Sequence, residues 1–196
     1  MNATNVDTPD PHPTDGGRRE QVLAAALDTF VRYGYRKTSM EDVARAADIS
    51  RPGLYLLFGS KQELFTAAVT DALNRSIAAV GEVLADTTRP SRDRLLDAFD
   101  QWTGRYIGVM SGEVHTMAEE YADLLGPAVT EFPSRFAALL DASLAESTDT
   151  AIAPRSTAVA QTLISTSIGI KQQVTTREAF LERLAVAIDL IVAHGS

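Results

Sequence analysis

Apolar positions recur at helical spacing along nearly the whole chain. From Arg18 to Tyr33, residues Val22, Leu23, Ala26, Leu27 and Phe30 share one side, and Gly34 ends the stretch. Met40, Val43, Ala44 and Ala47 repeat the pattern over a shorter segment. Ser39 with Asp42 three residues later opens that segment as a capping-box-like start. Asp48 stands where the chain must reverse, and it tolerates left-handed backbone better than most residues other than glycine. Ile49 plugs the corner. Ser50 is a good N-cap for the next helix, and Pro52 falls in its first turn, where a missing N–H costs little. Leu54 and Phe58 supply the buried side of that helix, which leaves Arg51, Gly53, Tyr55 and Leu56 for the outward side. Gly59 ends it. Ser60 with Glu63 forms a full capping box for a long helix reaching about Asp86.

Two short helices, a tight turn and an immediate third helix make a helix-turn-helix, whose second helix is shaped to lie in a DNA major groove. The small Ala44 fits that reading, because helices joined by so short a turn cross closely. Arg51 is the natural reader of guanine, through a two-pronged bond to O6 and N7, while Leu56 suits a thymine methyl and Gly53 a close backbone approach.

Beyond residue 86 the pattern stays helical. Thr88-Arg89-Pro90-Ser91 is a break, followed by predicted helices over 91–111, 113–125, 129–147, 154–174 and 176–193, with a stop at Gly126-Pro127. No period-two strand pattern and no internal repeat is visible. The fold class is therefore all-α, with about nine helices. Trp102, Tyr106, Met110, His115, Tyr121, Phe136 and Ser165 mix aromatic rings and a thioether with hydroxyls and one imidazole. That mixture suits a largely apolar pocket with sparse polar anchors, and any single one of these residues also fits plain core packing. The last two helices suggest association. Ala158, Thr162, Ser165, Thr166 and Gly169 are small enough for close approach, and Phe180, Leu184, Ile188 and Ile191 repeat at spacings of three and four.

Residues 18 to about 65 resemble the DNA-binding domain of the TetR family of transcriptional regulators. The resemblance rests on Gly34-Tyr35 followed by Thr38-Ser39, on Ile49-Ser50, and on Leu54-Tyr55, Phe58, Lys61 and Leu64. It implies that Thr38 and Ser39 set the start of the second helix against a phosphate. Tyr55 and Lys61 would contact further phosphates, and Arg51, Pro52 and Gly53 would face base edges. Two positions depart from the family pattern: Asp48 replaces the commoner glycine, and Leu57 stands where histidine or an aromatic ring is frequent. The resemblance further implies a C-terminal helical domain, residues 66–196, that binds a small-molecule effector and dimerises through its last two helices. A two-fold dimer of this kind demands a near-palindromic double-stranded DNA operator. The implied function is that of a repressor released by a small, largely apolar effector, with no cofactor and no enzymatic activity.

Charge sharpens this picture. The chain of 196 residues carries a net −8, which looks wrong for a DNA binder until it is divided. Residues 1–15 hold −3, residues 16–75 hold +2 and residues 76–196 hold −7, so positive charge concentrates in the DNA-reading part. Residues 1–17, with Pro9, Pro11, Pro13 and Gly16-Gly17, read as a disordered tail. Arg18 and Arg19 just beyond it suit either a minor groove or plain solvation. The absence of cysteine excludes disulfides, thiolate zinc sites and cysteine nucleophiles. No uncharged apolar run approaches the length of a membrane span, and no secretory signal opens the chain, so a cytoplasmic protein is expected. A phosphate-cradling glycine loop, H-E-x-x-H and G-x-S-x-G are all missing. His12, His115 and His194 lie too far apart in sequence to suggest a metal cluster. The rival readings are a helical adaptor or a small enzyme without specific DNA binding.

Overall fold

Three caps and two left-handed residues set the path of the N-terminal helices. In the computed structural model, which describes residues 15–108, 121–147 and 152–192, α1 spans Asp15–Tyr33, α2 Met40–Ala46 and α3 Arg51–Leu57. Helix α1 thus begins at Asp15, upstream of the Arg18 start that the pattern predicts. Ser39 and Asp42 close a reciprocal capping box, with Asp42 N–H donating to Ser39 Oγ at 3.2 Å and Ser39 N–H donating to the Asp42 carboxylate at 3.0 Å. Asp48 turns the chain with φ 52°, and Gly34 does so with φ 79° after α1. Ser50 Oγ accepts from Gly53 N–H at 3.1 Å, and Pro52 lies in the first turn of α3. The expected capping box at Ser60 is half made. Glu63 N–H donates to Ser60 Oγ at 3.1 Å, but the Glu63 carboxylate accepts from Gly59 N–H at 2.8 Å, one residue before the predicted partner.

These elements close on Val22, Leu23, Ala26, Phe30, Val43, Ala44, Leu54, Phe58, Leu64 and Phe65, all buried. Phe30 and Phe65 meet edge to face at 5.2 Å. Helix α4, Lys61–Ala85, runs on past the break between Ala68 and Val69 that divides the chain into two compact units.

The second unit adds α5 (Ser91–Trp102), the single turn α6 (Ala122–Leu125), α7 (Ala128–Ala145), α8 (Ser156–Lys171) and α9 (Arg177–Val192). Nine α-helices and no strand are found among the described residues. Ile77, Val80, Leu95, Phe99, Phe136, Leu140, Leu144, Leu163, Phe180, Leu184 and Ile188 form its core. Helix α8 packs on α7 and α9, and α9 packs on α5. Two arginine–aspartate pairs hold α5 to α9 at opposite ends. Arg92, at the start of α5, donates through Nε and Nη2 to both carboxylate oxygens of Asp189 near the end of α9. Arg177, at the start of α9, donates through Nε at 2.7 Å and through Nη2 to Asp100 near the end of α5. Both are two-pronged pairs.

One predicted helix is shorter than its pattern. The stretch 91–111 stops being α-helical at Trp102 and continues as a 3-10 turn over Gly104–Tyr106. Gly104, which opens that turn, has no room for a side chain. A Cβ there would lie 2.5 Å from Asp100 Oδ1 and 3.4 Å from Phe180 Cδ1, so the clamped carboxylate and the α9 ring take up the space of a side chain. Among the described residues, no helix is long and apolar enough to cross a membrane.

Candidate nucleic-acid interface

Helix α3 divides cleanly. Leu54 is fully buried, and Phe58, which follows the helix, is 1% exposed, while Leu56 is 89% and Tyr55 42% exposed. Arg51 and Pro52 are also exposed. Burying Leu54 and Phe58, four residues apart, anchors the helix and leaves Arg51, Pro52, Tyr55 and Leu56 on its outer side. Gly53 is only partly exposed, and a Cβ on it would lie 3.1 Å from Ser50 Oγ. Its lack of a side chain therefore serves the cap as much as the outer surface.

The Arg51 guanidinium lies near two groups. Its Nη1 lies 4.0 Å from Glu41 Oε2 on α2, and its Cζ lies 5.7 Å from the Tyr55 ring centroid. Glu41 also faces Arg45, whose Nη2 is 3.8 Å from Glu41 Oε1. Asp42 beside it titrates below the ordinary carboxylate range. The Ser39 hydroxyl and then its N–H stabilise the ionised form, with Arg45 adding to the effect. Glu41 was not among the residues the sequence singled out. Only its register on α2, facing the start of α3, could have marked it.

Two expected phosphate contacts are occupied inside the fold. Thr38 is 2% exposed, and its Oγ1 donates to the Gly34 carbonyl at 2.9 Å. Its hydroxyl ties the link after α1 to itself, so any part Thr38 plays in setting the start of α2 against a phosphate is not made through that hydroxyl. Ser39, by contrast, is exposed. Lys61 Nζ donates to the carbonyls of Tyr35 at 3.0 Å and Thr38 at 3.1 Å, and lies 4.4 Å from the centroid of the Tyr35 ring. Two of its three N–H donors thus fasten the start of α4 to the α1–α2 link. Arg19 lies 4.9 Å over the ring of Phe58.

In the second unit two of the pocket candidates meet each other, and the rest make separate contacts. Trp102 stacks on Phe136 with centroids 5.0 Å apart and planes at 13°, and Phe136 meets Phe99 edge on at 5.2 Å. This pair belongs to the packed core. The Tyr106 hydroxyl shares a hydrogen bond of 2.7 Å with Ser76 Oγ on α4, and Ser76 is buried. Tyr121 is buried. Ser165 is exposed and points away from any interior site; the buried serine of α8 is Ser167, whose Oγ donates to the Ile164 carbonyl at 2.8 Å. Met110 and His115 lie outside the described residues.

The association face on α9 is also corrected. Phe180, Leu184 and Ile188 are fully buried within the unit's own core. The residues left outside are Val186 at 59% and Leu190 at 63%, with Ile168 of α8 at 48%. Ala158, Thr162 and Ser165 are exposed on α8, in keeping with the small-residue face read there.

Comparison with known proteins adds an independent line. Residues 22–68 match the family model described as bacterial regulatory proteins, tetR family. The HTH-type transcriptional activator FasR of Mycolicibacterium smegmatis is 37% identical over 83 residues, which is 42% of this chain and 37% of that protein. The match therefore spans little more than a third of that relative's length. A TetR-family transcriptional regulator from Mesorhizobium loti superposes over 92% of this chain and 98% of its own, with a TM-score of 0.70 and 17% identity. A TetR-like transcriptional regulator from Rhodococcus sp. RHA1 covers 94% of this chain and 98% of its own, with a TM-score of 0.62 and 26% identity.

Proposed function

We propose that the chain, whose residues 22–68 match the tetR family model, is a TetR-family transcriptional regulator that acts in the cytoplasm as a repressor, two copies gripping a near-palindromic operator until a small, largely apolar effector releases them. The observation that carries this reading is the outer side of α3, where Arg51, Pro52, Tyr55 and Leu56 stand exposed on a helix pinned from behind by Leu54 and Phe58. Arg51 reads a guanine, Tyr55 and Ser39 hold phosphates, and Leu56 meets a thymine methyl. Of the remaining candidates, Pro52 and Gly53 bring backbone near the bases, and Lys61 has one N–H left for a phosphate.

The two copies associate through Ile168, Val186 and Leu190, with Ala158, Thr162 and Ser165 allowing close helix approach. Such a dimer sets its two recognition helices one DNA turn apart, about 34–36 Å. Effector binding in the second unit favours one setting of α4, and it can shift DNA affinity only by its preference for that setting. The match with FasR spans 42% of this chain and 37% of that protein, so that protein's name as an activator carries no sign for this chain.

Selection of bound duplexes from a random library, followed by sequencing, tests the reading. A near-palindrome with half-sites one turn apart, bound with strong salt dependence, is expected. Equal binding to all sequences would leave a helical adaptor as the better account.

A further inference from the structure

We propose that Glu41 is a positioning residue for sequence readout: it sets the Arg51 guanidinium in the plane from which it addresses one guanine. The inference rests on the DNA-reading role given to Arg51 above. An exposed arginine has many rotamers, and holding one of them for a two-pronged bond costs conformational entropy. Here the guanidinium has both a carboxylate and a ring within reach: Glu41 Oε2 at 4.0 Å from Nη1 and the Tyr55 centroid at 5.7 Å from Cζ. Glu41 in turn is steadied by Arg45 at 3.8 Å. These three charged residues are exposed in the free protein, so solvent screens the pairs. Docking on DNA removes that water and strengthens whatever pairing persists. A guanidinium has five N–H donors, so two can meet guanine O6 and N7 while another faces Glu41.

The same carboxylate opposes binding in general, because it adds negative charge to a surface that meets phosphates. Glu41 therefore trades overall affinity for discrimination. A residue that merely stabilised α2 would not separate these two effects.

The experiment measures binding of the full-length protein and its E41Q, E41D and R51A variants. The probes are the selected duplex, the same duplex with the guanine addressed by Arg51 replaced, and a scrambled duplex, each across a salt series. Compared with wild type, R51A identifies that base pair by abolishing the preference there. E41Q is expected to lower discrimination at that pair by roughly two- to fivefold. Its affinity for the scrambled duplex should be equal to or above that of wild type. E41D, with the charge one methylene short, should fall between. Thermal unfolding of each variant checks that the fold persists. Discrimination unchanged in E41Q, or affinity lost equally on all three duplexes, overturns the proposal while leaving the DNA-reading function standing. A wild type without sequence preference, or an R51A variant with unaltered preference, overturns both.

Discussion

Thr38 and Ser39 carry adjacent hydroxyls that meet different fates. The first donates inward to the Gly34 carbonyl, while the second caps α2 at the surface. Thr38→Val keeps the shape and removes the inward donor. The Gly34 carbonyl still receives the Thr38 N–H at 3.2 Å, so the expected cost is about 1 kcal/mol in urea unfolding. Operator affinity, measured by fluorescence anisotropy well below the melting temperature, should not change; a loss there would restore Thr38 to the phosphates. Nothing in the letters Thr-Ser tells which hydroxyl turns in, because the acceptor is a backbone carbonyl placed by the turn at Gly34. Gly104 poses the same difficulty. Its need for a bare Cα comes from Asp100 and Phe180, and Phe180 lies on a helix remote in sequence. Gly104→Ala should destabilise by about 1–3 kcal/mol, since Asp100 is held by Arg177 and cannot simply swing aside. The cost should shrink in a Gly104→Ala, Asp100→Ala double variant, read as a non-additive cycle in chemical denaturation.

At the level of helices, the caps and the turn were plain in the chain, because they are local. Ser39 with Asp42, Ser50 with Pro52, and Asp48 each act within a few residues, and each behaves as its spacing implies. Asp48 pays a strain for its φ of 52°, so Asp48→Gly should stabilise the first unit, by up to about 1 kcal/mol in thermal unfolding. Helix α9 was harder to read. Its apolar residues form two interleaved stripes, Phe180–Leu184–Ile188 and Val186–Leu190, both at a spacing of four. Periodicity alone cannot say which stripe the chain keeps for itself. The buried one is chosen by α5 and α8, which pack against it. The fate of Trp102 and Phe136 was illegible for the same reason: an aromatic pair lining a cavity and one filling a core have the same spacing.

For the molecule as a whole, Val186 and Leu190 make association testable without touching the core. Val186→Glu with Leu190→Glu places charges on residues that are already exposed, so each protomer should stay folded by circular dichroism. Sedimentation velocity should show a shift to the single subunit, and operator affinity should fall steeply because one half-site cannot hold the protein alone. Acid provides a further check on the second unit. Arg92 holds the Asp189 carboxyl below its ordinary value, mainly by donating hydrogen bonds to it, so the unfolded chain takes up this proton first. The clamp's contribution is present above the usual carboxylate range and is lost as pH falls through the lowered value, which an unfolding series from neutral to strongly acidic pH will register. The placing of these clamps has a mechanical consequence. With a guanidinium at each end gripping a carboxylate on the opposite helix, α5 and α9 cannot slip past one another by a helical turn without breaking both grips at once. The surface proposed to meet a second copy would therefore behave as a stiff plate, and any motion that carries a signal would be accommodated away from this pair.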